Sequence, residues 1–132
     1  MAGQAEGTFT LTDWDESPYQ ELDGKTKLTR ARMTFRLSGD LSGDLTSDSL
    51  MYYRQDGTAE FTGLQRFSGE LGGRSGSCVM LSGGAYRDGE ARSTWQVIEG
   101  SGTGGLAGLT GSGTSVAPGG PGGSYSLGYQ LG

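Results

Sequence analysis

Apolar and polar residues alternate with a period of two along most of the chain, and this pattern confines the fold to β-structure. Residues 28–37 (LTRARMTFRL) put Ala31, Met33, Phe35 and Leu37 on one face, and Arg30, Arg32, Thr34 and Arg36 on the other. Residues 58–70 set Ala59, Phe61, Gly63, Gln65 and Phe67 against Glu60, Thr62, Leu64, Arg66 and Ser68, and residues 8–14 place Phe9, Leu11 and Asp13 together. One dry and one wet face is the mark of an antiparallel strand. Further strands are expected at 45–54, 75–82, 91–98, 110–117 and 124–131. Asp23-Gly24, Asp56-Gly57, Gly72-Gly73 and Asp88-Gly89 separate the runs as hairpin turns. Residues 118–123 (PGGPGG) read as a flexible hairpin tip, and LAGL at 106–109 as a single helical turn. No longer segment carries a helical period.

Eight strands fit a closed barrel or a sandwich. The 27 glycines of this 132-residue chain decide for the barrel. Many fall inside the runs (Gly63, Gly69, Gly76, Gly83, Gly84, Gly111, Gly113), where a tightly curved sheet favours residues without a Cβ. Closure also removes exposed edges, and eight strands enclose room for side chains or one small ligand. The expectation is an all-β chain folded as a single eight-stranded antiparallel closed barrel over residues 1–132.

The chain has no histidine and one cysteine, Cys78. Ser-His-Asp and Cys-His nucleophiles, imidazole metal ligands and an intrachain disulfide are therefore excluded. Fifteen acidic against ten basic residues give a net charge of −5. An acidic domain whose only basic cluster, 25–36, reads as one strand face is a poor match for nucleic acid. No apolar run reaches membrane-span length, and MAGQAEG lacks the features of a signal peptide, so a cytoplasmic protein without a membrane partner is expected.

GSGTGG at 100–105 matches G-x-G-x-x-G, but no helix-forming segment or acidic residue follows it, so it reads as a strand-joining loop. Asp13, Asp15 and Glu16, and likewise Asp40, Asp44 and Asp48, lack calcium-loop spacing and read as a solvated rim. Asp13 shares a face with Phe9 and Leu11, which makes it a candidate acid at a barrel mouth. Gln65 lies on an apolar face, where a buried amide must find partners, in the backbone or in a ligand. Tyr52 and Tyr53 point to opposite faces, and a bulge near 47–50 would exchange them. Trp14, Trp95, Tyr86, Tyr125 and Tyr129 fill or line the interior. Cys78 reads as a small apolar residue beside Met80.

The segments GTFTLTDWDESPY (7–19), KLTRARMTFRLSGDLSG (27–43), YRQDGTAEFTGLQRFSGELGGRSGS (53–77) and GSGTGGLAGLTGSG (100–113) resemble an uncharacterised bacterial family. It is classed as a domain of unknown function and grouped with the allene oxide cyclase-like barrels. The resemblance covers nearly the whole chain and implies an eight-stranded barrel that self-associates as a dimer or trimer. Relatives of that barrel include allene oxide cyclases, dirigent proteins and bacterial spiro-ring cyclases, which confine an apolar substrate and steer ring closure. Tyr53, Arg54, Gln65, Arg66 and Arg74 match the family pattern. A glutamine and histidine that commonly follow GGRSGS are replaced here by Leu81 and Ser82.

The resemblance and the residues together predict a cofactor-free cyclase or isomerase acting on a hydrophobic small molecule, as in natural-product biosynthesis. Gln65, Tyr53 and Ser82 are the candidate catalytic residues. Phe35, Tyr52, Phe61, Phe67, Cys78 and Trp95 are the candidate substrate-binding residues. The alternative is a barrel that binds a small molecule without turning it over.

Overall fold

A computed structural model describes residues 2–131. Nine strands follow in order: β1 (Ala2–Glu21), β2 (Lys27–Gly39), β3 (Leu41–Tyr53), β4 (Ala59–Leu71), β5 (Arg74–Arg87), β6 (Glu90–Val97), β7 (Thr103–Gly104), β8 (Thr110–Ala117) and β9 (Gly122–Gln130). All pairings are antiparallel. Eight strands close in the order β1-β2-β3-β4-β5-β6-β8-β9, and β9 returns to β1 through Ala2↔Gln130 to Thr10↔Gly122. The ninth, β7, is two residues long and lies on β5 outside the barrel. All eight expected strands are present. The sole described helix is a three-residue turn at Asp23–Lys25, and no helix is long and apolar enough to cross a membrane.

The turn dipeptides act as their chemistry requires. Gly72-Gly73 (φ 57° and 86°) and Asp88-Gly89 (φ 55° and 75°) put both central residues in the left-handed region, which matches the twist of the flanking strands. β1 runs further than expected at both ends. Its first half pairs with β9 and β2, whereas residues 13–21 pair with β2 alone.

Strand tilt decides which inward residues meet. The partner row Thr29–Met51–Phe61–Gly84–Ser93–Ser115–Tyr125–Gly7 circles the sheet and regains β2 at Gly39, ten residues beyond its start. That stagger over eight strands corresponds to a tilt of about 40°. A row that begins at the end of the barrel near Tyr53 therefore finishes at the opposite end.

At that far end the interior is solid. Leu37, Leu41, Phe67, Leu71, Met80 and Leu127 form a buried core. The glycine-rich segment closes it from outside. Ser101 Oγ accepts from Val79 N at 3.0 Å, Ser77 and Thr103 share a hydrogen bond of 2.6 Å, and the following turn buries Leu106 and Leu109. GSGTGGLAGL is thus a plug, with 3-10-type bonds such as Leu109 N to Leu106 O at 3.1 Å. Tyr125 ties the same end together: its hydroxyl accepts from Leu41 N and donates to Ser38 O, each at 2.9 Å, while its ring stacks on Trp95 at 5.7 Å.

On the outer face, Arg32 pairs with Asp48 at 2.8 Å and Arg36 with Asp44 at 3.0 Å across β2 and β3. The basic cluster is a solvated strand face, and the pairs hold the Asp48 carboxyl below its ordinary range, chiefly through the Arg32 hydrogen bond.

Two consequences are measurable by urea unfolding. A Cβ on inward Gly63 would lie 2.1 Å from the Asp48 backbone oxygen, whereas one on outward Gly83 would lie 3.6 Å from its nearest neighbour, Phe61 O. Gly63→Ala should cost about 1–3 kcal/mol and Gly83→Ala less than about 0.5 kcal/mol; equal costs would contradict the close strand approach. Tyr125→Phe strands the buried Leu41 N–H and should cost about 1–3 kcal/mol. Burial also raises the Tyr125 phenol above its ordinary value of 10.0. The unfolded phenol ionises first, so stability is lost as pH rises beyond 10, and Tyr125→Phe should flatten that alkaline limb.

Candidate functional site

The other half of the barrel is hollow. A cavity of about 550 Å³ opens between the β1–β2 wall, the Asp88–Gly89 turn and the β8–β9 loop, whose Gly119, Gly120 and Pro121 form part of the rim. Among the described residues nothing plugs this end as Leu106 and Leu109 plug the other, and Ser82, Ala91, Ser93, Ser115 and Ala117 leave room beside the aromatic Tyr86 and Trp95.

Phe35, Phe61, Trp95, Gln65, Tyr53 and Ser82 all line this cavity. Three other candidates do not. Tyr52 faces outward, because β3 pairs with β2 and β4 without a bulge and its alternation carries through to Tyr53; its ring instead lies under the Arg54 guanidinium. Phe67 and Cys78 face inward but sit opposite each other one row below Gln65, inside the solid core. Burial there pushes the Cys78 thiol up to about 11, so it is no thiolate.

Asp13 is also displaced from its expected place. The β1–β2 register slips between Leu11 and Asp13, so Thr12 is a bulge residue. Leu11 and Trp14 consequently line the cavity while Asp13 is exposed. The same slip brings Glu16 to the mouth. Its carboxylate accepts from Tyr53 OH and Thr29 Oγ1, each at 2.6 Å, and from Trp14 Nε1 at 3.1 Å. Glu16 thereby fixes two wall residues from behind. Burial first, then the bond to Glu16, holds the Tyr53 phenol well above its ordinary value. Near neutral pH Tyr53 is a wall and a hydrogen-bond donor already engaged, and a poor proton donor.

Sequence reasoning missed the serines. Ser47 and Ser49 on β3, Ser93 on β6 and Ser115 on β8 line the cavity beside Gln65 on β4 and Ser82 on β5. Ser47 pairs with Gln65 in one row, Ser82 belongs to the next, and Ser93 pairs with Ser115 in the row above that. Because rows descend around a tilted barrel, this stepwise rise keeps the Gln65 amide and the serine hydroxyls at one level on five adjacent strands. The three remaining strands are apolar at that level, with Gly123 on β9, Phe9 and Leu11 on β1, and Met33 and Phe35 on β2; Phe9 and Phe35 meet edge to face at 5.4 Å. Period-two alternation from Leu45 to Tyr53 and from Ser93 to Trp95 was the available signal. A small polar residue on an inward face matters only once the space before it is known to be empty.

Within the belt, Ser47 Oγ and Ser49 Oγ are 3.1 Å apart, and Ser93 and Ser115 share a hydrogen bond. The Gln65 side chain, 4% exposed, has no hydrogen-bond partner for its Nε2. A buried amide donor left free in a native core is costly, and an occupant of the adjoining cavity that reached it would relieve that cost. Among the described residues no group of three or more Asp, Glu or Cys is arranged to hold a metal ion.

None of the curated proteins matches the chain. The crystal structure of a protein with unknown function from the DUF3224 family of Shewanella oneidensis MR-1 has the same fold. It superposes with a TM-score of 0.80 over 100% of this chain and 99% of that one, at 24% identity. The DUF3224 family, described as protein of unknown function, matches residues 5–129, from the first buried residue of β1 to the last inward tyrosine of β9. With the match running through all eight barrel strands, the chain belongs to the DUF3224 family.

Proposed function

We propose that the protein binds a hydrophobic small molecule inside the barrel. One observation carries this reading: an open cavity of about 550 Å³ with largely aromatic, aliphatic and thioether walls. Its size falls within the range of about 300–1,000 Å³ over which proteins bury small ligands. A sheet that needed only stability would fill both halves, as this one fills its far end.

A second reading, a cofactor-free cyclase or isomerase of the allene oxide cyclase-like kind, is favoured by the unpartnered Gln65 amide. In such a reaction a folded unsaturated substrate closes a ring with its own electrons, and no atom enters or leaves. The walls hold the reactive conformer, and Gln65 Nε2 donates to a carbonyl that gains electron density as the ring forms. Tyr53, engaged with Glu16, shapes the wall and does not supply a proton.

Binding is tested with N-phenyl-1-naphthylamine, an uncharged probe whose emission rises in apolar surroundings. The native protein should bind it. The double variant Ala91→Phe/Ala117→Phe fills the cavity from two directly paired, partly exposed positions and should bind it at least about ten-fold more weakly. Equal binding by both proteins, or none by the native one, contradicts the reading.

Turnover is tested by incubating linear polyene ketones and epoxides with the native protein and with Gln65→Leu. Catalysis should appear only with native protein and fall about a hundred-fold in the variant. Equal rates with and without protein defeat the cyclase reading and leave binding untouched.

A further inference from the structure

The cavity discriminates by charge and by the placement of oxygen. No Asp, Glu, Lys or Arg side chain is among its lining residues. An ion buried there would lose its hydration and meet no counter-charge, a penalty that neutral hydroxyls do not offset. At the mouth Glu16 is already engaged by Trp14, Thr29 and Tyr53, and Lys27 Nζ lies over the Tyr53 ring at 5.1 Å. Arg54 and Arg87 both pair with Glu60, each at 3.1 Å. The net charge of −5 further disfavours an approaching anion.

Polar groups are confined to one side. The belt of Ser47, Ser49, Gln65, Ser82, Ser93 and Ser115 spans five adjacent strands and faces the apolar wall of β1, β2 and β9. The belt both donates and accepts. Each bonded serine pair uses one of its two hydroxyl protons and one of its four lone pairs between its members, and Gln65 Nε2 is buried with no hydrogen-bond partner. An occupant that satisfies these groups offers oxygens along one edge and hydrocarbon along the other.

From this, and resting on the binding reading above, we infer that the ligand is an uncharged, edge-oxygenated hydrophobic molecule: a ketone, ether or hydroxylated ring system and not a fatty acid, organic acid or amine. Gln65 is the residue that selects for the oxygen. The Ser47–Ser49 and Ser93–Ser115 pairs extend the same preference to either side of it.

Three compounds of one skeleton separate these statements by displacement of N-phenyl-1-naphthylamine: fluorene, 9-fluorenone and fluorene-9-carboxylate. Fluorenone should displace the probe at a concentration at least about ten-fold lower than either of the others. On Gln65→Leu the difference between fluorenone and fluorene should vanish. The inference is overturned if the carboxylate competes as well as the ketone. It also fails if fluorene equals fluorenone on the native protein, a result that would preserve the binding reading. Binding of neither the probe nor any of the three would remove both.

Discussion

Closure of the sheet, through the pairing of β1 with β9, is the constraint on which the other features depend. An open eight-stranded sheet could lie nearly flat, with partner rows running straight across it. Once its edges meet with a ten-residue stagger, each row starts at one end of the barrel and finishes at the other. Side chains far apart in register become neighbours, and close neighbours in register are drawn to different depths. The same curvature brings adjacent strands so near at Gly63 and Gly113 that a Cβ would lie within 2.1 Å of a backbone oxygen.

This geometry divides the interior into two functional halves. Below, Phe67, Leu41, Met80 and Leu127 fill the space, the Tyr125 hydroxyl satisfies the β2–β3 turn, and Leu106 and Leu109 seal the end. Above, glycine, alanine and serine on β5, β6 and β8 leave the space empty, while Phe9, Phe35 and the two methionines Met33 and Met51 supply an apolar boundary. The solid half supplies the stability that the hollow half forgoes. Gln65 Nε2, buried without a hydrogen-bond partner, is a cost that a packed core would not carry.

The strands were legible because alternation is local: Ala31 to Leu37, and Ala59 to Phe67, announce their faces without reference to the rest of the chain. The turns at Gly72-Gly73 and Asp88-Gly89 were equally local. What could not be read was set by distant partners. Whether Phe67 faces ligand or core depends on how far around the barrel its row has descended. The Thr12 bulge, which exchanges Asp13 for Trp14 and turns Glu16 inward, is fixed by pairing with Thr34 and Met33 some twenty residues away. The glycine-rich 100–105 segment was recognised as a loop, but its role as a plug follows from Leu106 and Leu109 reaching the far core.

The methionines offer the most direct test of a hollow upper half above a solid lower one. Met33 and Met51 line the cavity, and Met80 lies in the core beneath it, 1% exposed. With ¹³C-labelled methionine methyls, NMR spectra recorded during titration with 9-fluorenone should show the Met33 and Met51 signals moving together and saturably while Met80 stays nearly still. Saturable ligand binding that leaves Met33 and Met51 unmoved, or that shifts Met80 most, would contradict a ligand site in the upper barrel.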